Sequence, residues 1–196
     1  MVSKPINNNV THNLELTIHR ATIEDTKAIS AVLAKSFYQF QGLASWFYPV
    51  LEFTITEDLR YRLRSHSPLY CCLVAKSIQQ PNLDNTSGSI VVATVEIALR
   101  SHSFWSGDRP YPYISNLAVA QNYRRLGIGT QLLDKCEQIA SDWGYHEIRL
   151  HVLDSNDAAK QLYCDRGYQI SQIEPNWGMW FDRSRRLLLK KAISIQ

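Results

Sequence analysis

The heptad Arg124-Arg125-Leu126-Gly127-Ile128-Gly129-Thr130 constrains this chain more than any other stretch. It follows a segment that reads as a strand, Tyr113 to Val119. It opens an amphipathic helix from about Gly129 to Trp143, on which Leu132, Leu133, Cys136, Ile139 and Ala140 share a face. A second strand, Glu147 to Leu153, comes next, so the unit is β-loop-α-β and requires a sheet with a helix packed on it. Consecutive backbone N–H groups at a helix N-terminus form an anion cradle. Gly127 and Gly129 let the backbone approach a phosphate closely, while Arg124 and Arg125 can add charge-assisted contacts from the rim. The third spaced Gly of a dinucleotide fingerprint is missing, as is the Gly-Lys-Ser/Thr of a P-loop, which sets nucleotide hydrolysis aside. Taken alone, the heptad fits a Gly-containing turn at a solvated helix start equally well.

Upstream, Leu14, Leu16 and Ile18 alternate with Glu15, Thr17 and His19, the period-two pattern of a half-buried strand over Leu14 to Arg20. Thr22 followed by Asp25 has the form of a capping box, and Ala28, Ile29, Val32 and Leu33 then recur at helical spacing. Gly42 to Leu51 mixes aromatics with Pro49 and has no simple period, so it reads as a packed connector or a binding loop. A second helix is expected at about Thr56 to Ser65. Leu69 to Ala75 and Ser89 to Leu99 read as strands of an antiparallel hairpin, with Gln79 to Gly88 as its polar turn. Downstream, Asp157 to Arg166 reads as a short helix stopped by Gly167, Tyr168 to Ile173 as a strand and Arg186 to Ile193 as the last strand. The order β-α-α-β-β-β-α-β-α-β-β calls for a mixed sheet with helices on its faces, which several folds satisfy.

The chain has 196 residues, a length for one domain, expected over 14–196 behind a loose tail at 1–13. Its net charge of +3 is too slight and dispersed to imply a nucleic-acid partner. No run of about 18 apolar residues suggests a membrane span, and the N-terminal residues resemble neither a secretory signal nor an arginine-rich transit peptide. The cytoplasm is therefore the expected compartment, although a mature organellar chain would read the same way. Cys71, Cys72, Cys136 and Cys164 lack the C-x-x-C spacing of a zinc site, so reduced thiols and no metal are expected.

Strand, Arg-Arg-Leu-Gly-Ile-Gly-Thr, amphipathic helix and strand, then Asn156 and Ala159 leading to Leu162-Tyr163 and Gly167-Tyr168, resemble the acyl-CoA-binding core of the GNAT N-acetyltransferases. The resemblance covers Glu15 to Ile193 in element order and Tyr113 to Ile170 in specific residues. It implies an α/β GNAT fold, a mixed sheet of about seven strands flanked by about four helices, with a splayed acyl-CoA cleft. It also implies acetyl-CoA as co-substrate, its pyrophosphate held at Arg124, Arg125, Leu126, Gly127, Ile128, Gly129 and Thr130. The main chain of Leu117, Ala118 and Val119 would pair with pantetheine, Asn156 would contact CoA further along, and Tyr163 would sit by the thioester sulfur as general acid.

Leu150-His151-Val152, Ser155-Asn156 and Tyr113-Ile114 resemble a branch that acetylates protein N-termini. In that branch a His at the place of His151 and a Tyr at the place of Tyr113 hold a water that accepts the amine proton. Imidazole suits the task, with an ordinary pKa of about 6.5. Two other readings stand beside it: His151 as a histidine bonded beneath a covering helix, and Glu96, on a central strand, as the base. An α-amine is already about a fifth neutral at pH 7.4 and lysine only about 0.1%, so a weak base suffices for N-termini. The expected acceptors are protein or peptide N-termini and, secondarily, lysine side chains. Phe47, Tyr48, Pro49 and Val50 fall where the superfamily places a substrate loop, and Trp177 to Trp180 where it places the opposite wall. A small-amine acceptor such as a polyamine or aminoglycoside, or a non-catalytic acyl-CoA sensor, are the competing readings. The oligomeric state is not written in the sequence.

Overall fold

A computed structural model describes residues 16–37, 48–65, 67–78, 89–101, 109–174 and 185–194. Its elements are β1 (Leu16–Arg20), α1 (Thr26–Phe37), α2 (Tyr48–Arg64), β2 (Tyr70–Ile78), β3 (Ser89–Arg100), β4 (Tyr111–Val119), α3 (Ile128–Asp142), β5 (Glu147–Leu153), α4 (Asp157–Asp165), β6 (Gln169–Glu174) and β7 (Arg186–Ala192). This is the expected order. The strands form one sheet, β1-β2-β3-β4-β5-β7-β6, in which only the β4/β5 neighbours run parallel. Leu14, Glu15, the 1–13 tail and the Gln79 to Gly88 turn lie outside the described residues.

Sequence periodicity locates most elements to within two or three residues, with one larger departure. Helix α2 begins at Tyr48 and not near Thr56, so Tyr48, Pro49 and Val50 form its opening turn instead of a loop. Proline is tolerated there because the first amides of a helix have no intrahelical acceptor to lose. Thr22 and Asp25 do form the reciprocal cap, the Thr22 amide donating to Asp25 Oδ2 at 3.0 Å, before a short 3-10 turn that leads into α1.

Alternation along the strands sends two sets of side chains to two cores. Ile114, Leu150, Val152, Leu187 and Leu189 pack with Leu132, Leu133 and Cys136 of α3 and Tyr163 of α4 on one face. Cys72, Val74 and Ala118 pack with Ile29 and Leu33 of α1 and Leu59 of α2 on the other. Cys71, Cys72 and Cys136 are buried free thiols, as expected of small hydrophobes, while Cys164 is free and exposed.

The join between β4 and β5 positions the site. These strands pair only at Tyr113↔Arg149 and Ile114↔Leu150. Beyond Ile114 the β3/β4 register shifts between Thr94 and Glu96, opposite Asn116, whose φ of 54° puts it in the left-handed region. Asn tolerates that region better than most L-residues, and the extra residue bends and twists the strand. Leu117 to Val119 thus continue along β3 while leaving β5.

Candidate active site

The cradle comes first because its backbone is fixed by local sequence. Gly127, with φ 75°, caps α3 in the left-handed conformation, and Arg125 also has positive φ, at 64°. Gln131 is the first residue to bond back, to Gly127 O at 3.1 Å, so the amides of Ile128, Gly129 and Thr130 precede the helical ladder and remain outward donors. Such a cluster of N–H groups at a positive helix end fits a pyrophosphate. A Cβ at Gly127 would meet nothing within 4 Å, so glycine serves the left-handed backbone there rather than packing. Gly129 differs: a Cβ would come within 3.2 Å of Leu162 Cδ2, a close contact that the leucine tip would have to yield by a few tenths of an ångström. The Ile128 side chain is core, whereas Leu126 is exposed. Arg124 Nε donates to Val119 O at 3.0 Å, tying the cradle to the end of β4. Asn156 caps α4, its Oδ1 accepting from the Ala159 amide at 3.2 Å, which leaves its side-chain NH₂ for a ligand.

Beside the splay, on the face covered by α1 and α2, Tyr113 of β4 and His151 of β5 meet. The Tyr113 hydroxyl lies 2.8 Å from His151 Nδ1. Glu174 Oε2, from the end of β6, lies 3.2 Å from Nε2, too far off line to count as a full hydrogen bond to that buried nitrogen. Burial pushes His151 below its ordinary value; Glu174 pulls the other way, and the guanidiniums of Arg186 and Arg100 add to the push. The ring is therefore neutral near pH 7 and has a lone pair to offer. Burial pushes the Tyr113 phenol up, with Arg100 and Arg186 offsetting part of the rise. The Arg100 guanidinium stacks 3.9 Å from the Tyr113 ring centroid, and that of Arg149 sits 4.2 Å from the Tyr111 ring.

Tyr163 belongs to the opposite core, edge-on to Tyr168 with ring centroids 5.8 Å apart. Burial, then the proximity of Tyr113 and Cys136, pushes its phenol up to about 12. Tyr163 and the Tyr113/His151 pair thus lie on opposite faces of the sheet.

Glu96, the rival base, is 3% exposed in its side chain and fully engaged. Arg62 Nη1 and the Tyr70 hydroxyl each donate to its Oε2 at 2.8 Å, and Asn116 Nδ2 donates to Oε1 at 2.6 Å. Both oxygens are committed to holding α2 and the β4 bulge, which disfavours proton abstraction. Sequence reasoning missed this partner set and Glu174, because each contact joins residues far apart in the chain with no motif spacing. Of the expected acceptor residues, Phe47 lies outside the described residues, as do Trp177 to Trp180, while Tyr48, Pro49 and Val50 open α2. A cavity of about 710 Å³ between α1, β3 and the β4/α3 connection includes Arg124 in its lining but neither Tyr113 nor His151. Among the described residues no group of three or more His, Cys, Asp or Glu is placed to hold a metal ion, and no helix is long and apolar enough to cross a membrane.

A mixed sheet splayed between its fourth and fifth strands, with a phosphate cradle at the next helix, defines an acetyltransferase of the GNAT class. The model of the acetyltransferase (GNAT) family matches residues 37–168, and the chain belongs to that family. Its relatives include GCN5-related N-acetyltransferase 10, chloroplastic, of Arabidopsis thaliana, 29% identical over 90% of this chain and 71% of the relative. Thialysine N-epsilon-acetyltransferase of Bos taurus is 34% identical over 62% of this chain and 68% of the relative. Among solved structures, the ribosomal-protein-S18-alanine N-acetyltransferase from Escherichia coli gives a TM-score of 0.63 at 18% identity, covering 93% of this chain and 96% of that one. At that identity the likeness is one of fold. The first relative's name puts that protein in the chloroplast, the organellar case set beside the cytoplasmic one above.

Proposed function

We propose that this N-acetyltransferase transfers the acetyl group of acetyl-CoA to protein N-terminal α-amines, with lysine ε-amines as secondary acceptors. The observation that carries the reading is the 2.8 Å contact between Tyr113 and a His151 whose pKa is held below its ordinary value. Such a base is weak, and it suits an amine that is already partly neutral. Arg100 and Arg186 lie near the ring of His151, an unfavourable neighbourhood for a polycationic polyamine or aminoglycoside.

In this reading the amides of Ile128 to Thr130 hold the pyrophosphate, with Arg124, Arg125 and Leu126 shaping the turn before them. The main chain of Leu117, Ala118 and Val119, where β4 has left β5, takes the pantetheine, and Asn156 contacts CoA further along. The amine nitrogen forms its bond to the acetyl carbon as the carbon-sulfur bond breaks. Its proton leaves toward Tyr113 and His151, directly or through water. The Tyr163 phenol, protonated throughout the working range, donates to the departing sulfur. Backbone N–H groups along the splayed β4 are placed to steady negative charge on the carbonyl oxygen. The opening turn of α2, with Tyr48, Pro49 and Val50 after Phe47, borders the acceptor side.

The thialysine relatives favour a second reading, a small ε-amine acceptor. The test is thiol release from acetyl-CoA with four acceptors: a peptide with a free N-terminus and no lysine, a blocked peptide with lysine, a blocked peptide without it, and thialysine. Turnover fastest on the first supports the proposal, and turnover confined to thialysine replaces it with the second reading. Silence on all four while CoA still binds indicates a sensor.

A further inference from the structure

We propose that Glu174 is a positioning residue for the reaction: it fixes His151 as the Nε2–H tautomer and so aims the Nδ1 lone pair at the Tyr113 hydroxyl. This rests on the reading of His151 as the base. The registers place the participants on one face, since Tyr113 stands opposite Arg149, two residues before His151. His151 stands opposite Leu188 of β7, and Leu188 opposite Gln172 of β6, two residues before Glu174. Strand alternation then sends His151, Gln172 and Glu174 to the same side.

A neutral imidazole carries one proton, and its two neighbours are chemically unequal. Nε2 is shielded from solvent with the Glu174 carboxylate 3.2 Å away. A bare lone pair on Nε2 would face that negative oxygen, whereas an N–H there is attracted to it. Glutamate χ3 is a broad, soft torsion, so bringing the oxygen into line costs little. With the proton on Nε2, Nδ1 can only accept, and the group 2.8 Å from it is the Tyr113 hydroxyl.

The proton path follows and balances. As the amine attacks, its proton passes to the Tyr113 oxygen, directly or through one water, while the Tyr113 proton passes to Nδ1. Tyr113 ends unchanged and His151 becomes an imidazolium, with Glu174 the opposite charge beside it. The other charged groups around the ring, Arg100 from β3 and Arg186 from β7, disfavour that cation. Glu174 is thus the carboxylate that offsets two guanidiniums at the moment the ring charges, as the acid of a triad supports its histidine.

Glu174→Gln in the full chain keeps the size of the side chain and removes its charge. We expect kcat to fall about tenfold with the KM for acetyl-CoA within about twofold of wild type. The acid limb of the kcat/KM profile should move to lower pH, because the carboxylate that raises the His151 pKa is gone. Glu174→Asp should restore part of both. Nitrogen NMR of the His151 ring should report Nε2 protonated in the wild type and titration at lower pH in Glu174→Gln. An unmoved acid limb and wild-type kcat in Glu174→Gln, with His151→Ala still slow, would overturn the role of Glu174 alone. Wild-type turnover in His151→Ala would overturn the base reading and this proposal with it.

Discussion

Glu96 and His151 are both titratable, both sit on the same side of the sheet, and their contacts differ in kind. The carboxylate has a donor on each oxygen, three in all, and one of them is the Arg62 guanidinium that also pairs with Asp58. The imidazole has Nδ1 2.8 Å from the Tyr113 hydroxyl. Glu96→Gln should therefore act on the fold: a loss of about 2 kcal/mol, discounted because Arg62 is about one third exposed, with the acid limb of the pH–rate profile where it was. Urea unfolding and a pH–rate series on the same preparation measure the two. A shifted limb would return the base role to Glu96. Sequence could nominate both residues by type and strand, but choosing between them depended on Arg62 and Tyr70, respectively 34 and 26 positions from Glu96.

At the level of elements, β4 shapes the candidate site by ceasing to pair with β5. Its departure from β5 is set by Asn116 in the left-handed region, with Nδ2 bonded to Glu96. Asn116→Val should cost about 2 kcal/mol or more, from a β-branched residue at positive φ and a lost bond to a charged group, and should weaken CoA binding as the bend relaxes. Asn116→Gly keeps the bend at smaller cost and should hold CoA affinity near wild type. Calorimetric titration of CoA into both variants is the check, and equal losses would detach the splay from CoA binding. The strand itself was plain in the sequence, as was the glycine-containing helix start at 127 to 129, because each is a local pattern; the cap that Asn156 places on α4 was not read there. The bend at Asn116 carried no such mark, since it is made by register against β3. The early start of α2 was obscured because Pro49 breaks periodicity while being harmless in a first turn.

For the whole molecule, acidity should remove stability in two stages. His151 lies below its ordinary value in the folded chain, so the unfolded chain takes that proton first and stability falls as pH drops below about 6.5. Asp25 is pushed up by burial, but Lys76 and the Thr22 cap outweigh it and hold its carboxyl below the usual range. Its contribution is present above an ordinary pKa of about 3.9 and is lost as pH falls through the lower folded value. Urea midpoints at pH 7.5, 5.5 and 3 should decline at both steps. His151→Asn should flatten the first step and Asp25→Asn the second, each from a lower starting point.

The two paired positions between β4 and β5 also mean that seven strands are really two ribbons, β1-β2-β3-β4 and β5-β7-β6, latched at Tyr113 and Ile114. Past the latch, the facing edges of the two ribbons do not pair with each other. In the function proposed above, an extended amide-bearing chain laid between them supplies the missing rungs, so that taking up the acyl donor and completing the sheet are one event. On that proposal the donor is a transient eighth strand between the two ribbons.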